Sequence, residues 1–208
     1  MYIPEHFAET NLPRLHEFMR QHSFATLVTQ QDGAPFASHL PMFLDSGIGT
    51  HGALLGHMAR NNAQWQDFAS GAEVLVMFHG PHAYVSPAWY EPSPMAVPTW
   101  NFMAVHAYGK TRILSEDELV KTLYQLVDEN EKSFSSPWKL DLSSAMRERM
   151  LSEIVGFEIR LSRIEGKFKL SQNRKEQDRC NVIGYLEQSS HGKDVAHWMS
   201  KELERKSE

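Results

Sequence analysis

Residues 56–62 (GHMARNN) combine side chains that can bind a phosphate group. A short apolar strand is predicted to end at Arg60, and Asn62 can cap a helix that begins directly after it. An arginine fork matches two phosphate oxygens at once, and a neighbouring helix N-terminus adds backbone donors. The same residues indicate equally well a capped helix beside a solvated arginine, so both interpretations stay open at this point.

Residues 167–174 (KFKLSQNR) form a second candidate site at the end of a predicted strand. Three cations flank a serine, a glutamine and an asparagine, a mixture that suits an anion or a polar heterocycle. A basic surface arm is the simpler interpretation. Trp100 and Asn101 follow a proline-rich loop and place a planar ring beside an amide, which suits contact with a flat ligand but also ordinary packing.

Motifs for other chemistries are absent or lack their structural context. His79 and His82 could begin a metal site, but no cysteine or carboxylate lies at ligand spacing nearby, which favours structural histidines. Residues 47–52 (GIGTHG) match G-x-G-x-x-G without a surrounding βαβ unit, so we predict a hairpin loop rather than a dinucleotide site. Cys180, the single cysteine, is a poor candidate for a thiol catalyst because it lies in a charged, helical stretch.

Charge and composition limit the partners of the chain. Its 208 residues carry 21 Lys and Arg against 26 Asp and Glu, a formal net charge of −5. Proteins that grip DNA unaided usually present a basic patch, so we expect DNA binding to be weak or indirect. No apolar run is long enough to span a membrane and no signal peptide is visible, so a cytoplasmic protein without membrane contact is expected.

Residues 73–109 are predicted to form the middle of a β-sheet. Their first apolar run has no polar face, as in strands covered on both sides, and we expect Gly80-Pro81 to end it. A capping box at Ser115 predicts one helix, and Ser143 or Ser144 can cap another that runs to Val155. Residues 157–164 alternate as a last strand, and two charged helices follow. The chain is thus predicted to be mainly β with α decoration, with one barrel domain over residues 1–174 and a helical extension over 175–208 packed on it.

Four stretches of the chain together resemble one known family. They are residues 56–65 (GHMARNNAQW), 74–90 (VLVMFHGPHAYVSPAWY), 97–109 (VPTWNFMAVHAYG) and 167–174 (KFKLSQNR). In wording and order they are similar to the PaiB family, FMN-binding split-barrel proteins described as negative transcriptional regulators. The resemblance implies a split β-barrel like that of pyridoxamine-phosphate oxidases, assembled as a homodimer with FMN in grooves at the subunit interface.

The resemblance also assigns roles to particular residues, all of them cofactor contacts and none of them catalytic. It places one group at the phosphate end of the flavin, a second along its ring, and a third approaching the ring from the same chain or its partner. In that order the groups are His57, Arg60 and Asn61; Ser38, His39, Leu40 and Pro41; and Trp100, Asn101, Lys169, Ser171, Gln172 and Asn173, and Met58 is a further predicted cofactor contact.

Three functions follow from the resemblance and compete. The leading one is an FMN-binding protein that acts in the regulation of transcription. A flavin-dependent oxidoreductase would use the same groove, and a haem-binding or haem-degrading split barrel would use the abundant histidines. Enzymatic activity therefore stays open on the sequence.

Overall fold

Local sequence signals account for the start of some of the helices but not of others, such as the last two of the chain. The computed structural model describes residues 1–92, 96–142 and 144–205, without the side chains of residues 144–146. Its helices are α1 (Leu12–Gln21), α2 (Glu116–Glu131), α3 (Ser144–Ser152), α4 (Glu176–Glu187) and α5 (Lys193–Glu204), with 3₁₀ helices at Glu5–Phe7, Ala63–Ser70 and Pro87–Trp89.

Two caps form as the sequence predicts. Ser115 accepts a hydrogen bond from the N–H of Glu118, and the Glu118 carboxylate accepts one from the N–H of Ser115, which completes the capping box of α2. Asn62 caps the helix Ala63–Ser70 by accepting from the N–H of Gln64, and Gly71 ends it in the left-handed conformation. Ser143, one of two predicted caps for α3, lies outside the described residues.

The strands form one mostly antiparallel sheet. They are β1 (Ala8–Glu9), β2 (Phe24–Gln31), β3 (Ala34–Pro41), β4 (Phe43–Asp45), β5 (Ala53–Ala59), β6 (Glu73–Val85), β7 (Thr99–Ile113) and β8 (Ile154–Lys169). Within the described chain their order is β3-β2-β6-β7-β8-β5-β4, with β1 paired to β8. This sheet with its several helices confirms the predicted fold class, and β6 lies in the middle of it, as predicted.

The predicted break at Gly80-Pro81 was wrong, because β6 continues through it to Val85. β2 pairs with Leu75–Met77, so Pro81 lies past that stretch and its missing N–H removes no hydrogen bond from the pairing. Val74, Val76 and Phe78 are buried, whereas the alternating Leu75 and Met77 are only half-buried. One face of the strand is thus fully covered within the chain and the other is not.

The last strand is longer than predicted, and the helix before it is shorter. β8 begins at Ile154 and continues to Lys169, beyond the predicted 157–164, and α3 ends at Ser152. The longer strand is supported by pairing with its neighbours: Ile154 faces Ala59 of β5 and Lys167 faces Ala8 of β1. Residues 47–52 form turns between β4 and β5, which pair as a hairpin, as predicted.

Contacts divide the chain into two compact units. Unit 1 comprises Met1–Asn11, His79–Val105 and Glu165–Glu208, and unit 2 comprises Leu12–Phe78 and His106–Ile164. Neither unit is bounded at residue 174, and the division of the chain into residues 1–174 and 175–208 stays a prediction.

Unit 2 has a core in which α2 packs on the sheet. Leu119 of α2 lies so close to Gly156 of β8 that a Cβ there would come within 2.6 Å of it. Leu55, Leu114, Leu123 and Leu151 are the other buried members of the cluster around Leu119. The absence of a side chain at residue 156 therefore permits the close approach of helix and strand.

Unit 1 buries the contact between its two C-terminal helices. Val182 and Leu186 of α4 and Val195 and Met199 of α5 are buried. Two carboxylates, those of Glu202 and Glu9, are also almost inaccessible in unit 1. The guanidinium of Arg205 lies 2.8 Å from the Glu202 carboxylate and 3.4 Å from the Glu9 carboxylate. Buried carboxylates of this kind need such partners, so the pairs tie α5 to β1.

Candidate functional site

The first group of predicted site residues lies where β5 ends, in unit 2. The Nε of Arg60 donates a hydrogen bond to the carbonyl of Ser152 (2.6 Å), and its Nη2 donates to the carbonyl of Ile154 (2.7 Å). The Arg60 N–H donates to the carbonyl of Glu153, and its own carbonyl accepts from the Trp65 ring. The Arg60 guanidinium is thus held by carbonyls at the end of α3 and the start of β8, and its Nη1 makes no hydrogen bond with the described residues.

His57 stands three residues earlier on β5 and is uncharged near neutral pH. Burial lowers the pKa of its imidazole below the ordinary value of 6.5. Its Nδ1 is buried and makes no hydrogen bond with the described residues. His57 can therefore offer one hydrogen bond to a ligand but no positive charge, which leaves the charge at this corner to Arg60. Asn61 is exposed, and Met58 is buried in the core.

Ser38 to Pro41 form the second half of β3, also in unit 2. Asn62 donates from its Nδ2 to the Oγ of Ser38 (2.8 Å), which links β3 to the start of the helix after β5. The His39 Nδ1 and the Thr26 Oγ1 share a hydrogen bond of 3.0 Å across the β2–β3 pair. Leu40 and Pro41 are half-buried. The hydrogen bond of Asn62 thus brings β3 and the Arg60 corner together.

The third group lies in unit 1 and surrounds Lys169. The ammonium of Lys169 donates to the Oγ1 of Thr99 (2.6 Å) and to the carbonyl of Trp100 (2.7 Å). Burial lowers the pKa of Lys169, and the nearby charges of Lys167 and Arg174 lower it further. Trp100 is 53% exposed, with its ring against those of Tyr84 and His82. The region therefore combines an excess of positive charge with an accessible aromatic surface.

Asn101, Ser171 and Gln172 use their polar groups within unit 1. The Asn101 Nδ2 donates to the Ser171 Oγ (2.9 Å), and both residues are buried. Gln172 accepts from the N–H of Leu170 and donates to the carbonyl of Phe168. These bonds hold the turn at which Ser171 takes the left-handed conformation (φ 64°) and from which the exposed Asn173 projects. A cofactor contact by any of them stays a prediction.

The sequence reasoning missed Gln64, which joins three segments of unit 2. Fully buried, it donates from Nε2 to the carbonyls of Leu27 and Phe36 and to the Thr29 hydroxyl, each at 3.2 Å. Its signal in the sequence is a polar residue one turn before Phe68 on the same short helix. Gln64 is a positioning residue, because it fixes the helix that follows Arg60 against β2 and β3.

Two further properties limit what the described residues can do. No group of three or more His, Cys, Asp or Glu side chains with metal-ligand geometry occurs among residues 1–92, 96–142 and 144–205. No helix in the same ranges is both long and apolar enough to cross a membrane.

Comparisons with known proteins identify the family. Residues 1–163 match the family described as "Putative FMN-binding domain". The chain is 42% identical over 208 residues to the protease synthase and sporulation protein PAI 2 of Bacillus subtilis (strain 168), covering 99% of both chains. It is also 33% identical to an uncharacterised protein of Emericella nidulans, over 90% of each chain.

Solved structures with the same fold have little sequence in common with the chain. The FAD and haem binding protein from Mycobacterium smegmatis superposes with a TM-score of 0.63 at 14% identity, covering 83% of this chain and 78% of that one. The flavocytochrome Anf3 from Azotobacter vinelandii gives 0.62 at 11% identity, covering 92% and 81%. Family and fold together support FMN as the cofactor, and the chain belongs to the PaiB-type family of FMN-binding split-barrel proteins.

Proposed function

We propose that the protein is an FMN-binding regulatory protein, in which Arg60 holds the phosphate of the flavin and the flavin serves control of transcription. The family supports the flavin. The name of the Bacillus subtilis relative, a protease synthase and sporulation protein, supports a regulatory role. The observation that carries the flavin site is the Arg60 guanidinium, a permanent charge that three backbone carbonyls hold at the end of β5.

The residues at this corner fit a phosphate group. Arg60 lines a cavity of about 380 Å³, within the roughly 300–1,000 Å³ that small-molecule sites occupy. Glu116 and Glu148 line it as well, and the Glu116 carboxylate is paired with Arg147 at 3.1 Å. His57 and Asn61 do not line this cavity, but close to Arg60 in the chain they offer an uncharged imidazole nitrogen and an exposed amide. The helix after Arg60 adds little, since Asn62 already satisfies the N–H of Gln64.

The remaining predicted contacts suit the flat ring system of a flavin and its polar edge. Ser38 and His39 present a hydroxyl and an imidazole along β3, while Trp100 presents an exposed ring and Lys169 an ammonium in unit 1. Bound FMN would supply reversible hydride and electron chemistry. The part of this chain is to bind and orient the flavin, and a homodimer in which two chains share each groove is part of the proposal.

Control of transcription is proposed to act through the flavin or a partner rather than through unaided DNA contact. The net charge of −5 supports this route, because phosphate contacts need cations. The haem alternative predicts a different absorbance spectrum for the purified protein. The oxidoreductase alternative predicts that a reductant such as NADH or NADPH reduces the bound flavin with turnover.

An absorbance spectrum of the purified protein tests the cofactor. Flavin bands near about 370 and 450 nm are expected, whereas a Soret band would instead indicate haem. Rapid bleaching of the flavin bands by NADH or NADPH with turnover would indicate an oxidoreductase. A protein that shows no flavin band, and gains none when FMN is added to it, would contradict the proposal.

A further inference from the structure

Unit 1 contains a cavity at the start of α4 that shares only Asn173 with the predicted flavin contacts. Its volume is about 230 Å³, and Tyr90, Asn173, Arg174 and Lys175 are among the residues that line it. Small-molecule sites usually occupy roughly 300–1,000 Å³, so this cavity suits a small ligand or one group of a larger ligand.

Arg174 brings a charge to the cavity that has no counter-ion. Its guanidinium carbon lies 4.5 Å from the centre of the Tyr90 ring, a cation–π contact. Across the part of the chain that the structure describes, the guanidinium makes no hydrogen bond and no ion pair. The charges of Lys167 and Arg174 both lower the pKa of Lys169, so three cations lie near one another on this side of the cavity, which Glu91 and Asp178 also line. Five donors in a fixed fork are therefore available to an anion.

Tyr90 contributes a second group that lacks a partner. The side chain is 6% exposed, and its hydroxyl is buried without a hydrogen bond to any described residue. Buried hydroxyl groups are nearly always hydrogen-bonded, and leaving one unsatisfied costs about 1–3 kcal/mol. Tyr90 thus brings to the wall of the cavity a buried O–H donor that has no partner among the described residues.

The carboxylates that line the same cavity already have partners. Asp178 accepts a hydrogen bond from the N–H of Glu91 at 2.8 Å, and the Glu91 carboxylate lies 3.7 Å from the ammonium of Lys175. Neither is paired with Arg174. Helix α4 also begins without a side-chain cap, because Lys175 at the N-cap accepts nothing from its first turn. The unsatisfied groups of the cavity are therefore donors.

We propose that this cavity binds the oxyanion group, phosphate or carboxylate, of a small ligand other than the flavin. Arg174 takes the oxyanion with its fork, the Tyr90 O–H donates to it, and the first turn of α4 adds a favourable dipole. The inference goes beyond the flavin site and stands without it, since every residue that carries it lies in unit 1 and Arg60 lies in unit 2.

Calorimetric titration of the purified full-length chain with inorganic phosphate and, separately, with acetate tests the site at constant ionic strength. Saturable binding of one anion per chain is expected. Arg174→Ala should weaken it by about ten- to a hundredfold, as for loss of a charge-assisted bond. Tyr90→Phe, which removes only the hydroxyl, should weaken it by about two- to tenfold. Binding of phosphate alone identifies a phosphorylated ligand, and binding of both identifies a carboxylate-tolerant site.

Arg163→Ala is the matched control. Arg163 also lies over a tyrosine ring, that of Tyr108 at 3.7 Å, but it belongs to unit 2 and has Glu73 as an ion partner. The variant loses the same charge and should bind phosphate as the wild type does. Arg174→Lys keeps the charge and loses the fork, and serves if Arg174→Ala does not fold. The proposal is overturned if neither anion binds saturably, if the Arg174 variants bind like wild type, or if Arg163→Ala weakens binding equally.

Discussion

The Arg60 side chain makes hydrogen bonds that stabilise the fold and can also donate to a ligand. Its Nε and Nη2 hold the segment after α3, and the partners Ser152 and Ile154 lie 92 and 94 residues further along the chain. Removing the guanidinium therefore loses these bonds as well as any bond to a ligand. A test of ligand binding must separate the two effects.

Comparing FMN with riboflavin makes that separation. Arg60→Ala should weaken FMN binding by about 1.5–3 kcal/mol, the usual range for a charge-assisted hydrogen bond. Riboflavin lacks the phosphate, so its affinity should change much less. Fluorescence titration of the apoprotein with both flavins measures the two changes. Arg20→Ala removes an exposed arginine bonded to Ser46 and serves as control. Equal losses for FMN and riboflavin would show that Arg60 does not bind the phosphate.

The residue scale also shows what the sequence can and cannot predict. The bond from Asn62 to its own helix spans two residues, and the residue types alone predict it. The bond from Arg60 to Ser152 spans 92 residues, and no local pattern contains it. The sequence therefore identified Arg60 as a candidate and left open whether it is solvated, whereas only the fold shows its carbonyl partners.

At the scale of elements, the start of α2 combines a cap with a charge network. Arg112 of β7 contacts the Glu118 carboxylate at 2.9 Å and the buried Glu158 carboxylate of β8 at 2.7 Å. The hydrogen bond from Arg112, followed by that from Ser115, lowers the pKa of Glu118 from 4.5 to about 2. The charged form of Glu118 is thus favoured in the folded protein.

This depressed pKa predicts a pH-dependent contribution to stability. The folded-state pKa lies below the unfolded one, so the contribution is present above pH 4.5 and is lost as the pH falls towards about 2. Glu118→Gln keeps a capping side chain and removes the charge. Its melting temperature should lie below that of the wild type near neutral pH, and the difference should close in acid. Glu204→Gln, at an exposed position of α5, is the control. A difference between wild type and Glu118→Gln that stays constant from pH 7 to 2 would contradict the assignment.

The contact between β7 and β8 depends on a glycine. A Cβ at Gly109 would overlap the carbonyl oxygen of Arg160, a backbone atom that cannot rotate away. Gly109→Ala should therefore destabilise the protein by about 1–3 kcal/mol, as overpacking does. A Cβ at Gly184 in α4 would have no neighbouring atom within 4 Å, so Gly184→Ala should stabilise the protein by about 0.5–1 kcal/mol. Chemical denaturation measures the change in the free energy of unfolding for each variant, and the two changes should have opposite signs.

The elements were predicted best where the signal is local. The capping box at Ser115 and the turn between β4 and β5 follow from a few adjacent residues. The extent of β6 does not, because Gly80-Pro81 ends a strand only where the lost N–H is needed for pairing. β6 pairs with β2, whose sequence lies some fifty residues earlier, over Leu75–Met77, and its other neighbour in the sheet is β7.

At the scale of the whole molecule, apolar side chains that each unit leaves partly uncovered predict a homodimer. Leu75 and Met77 of β6 are half-buried, and Trp100 is 53% and Tyr84 45% exposed. Exposed aromatic clusters of this kind are typical of interfaces. Sedimentation at micromolar concentration should show a dimer, and Trp100→Ala should shift it towards monomer. Tyr2→Ala removes an aromatic ring that is 83% exposed and is the control. A wild-type monomer loaded with flavin would contradict the prediction.

The charge of the molecule predicts weak DNA binding without sequence preference. Acidic residues outnumber basic ones by 26 to 21, and the most basic stretch, residues 167–174, holds only three cations, of which Lys169 is hydrogen-bonded within unit 1. Lys169 donates to Thr99 and Trp100, and Arg174 lies over Tyr90. With few cations left for phosphates, the salt dependence of binding should be shallow, with a slope of about −1 to −3 in log–log form. A salt-titrated binding curve on a candidate promoter and on a scrambled duplex measures this. Tight, sequence-selective binding by the protein alone would show that it contacts DNA directly, and the regulatory role would then need no partner.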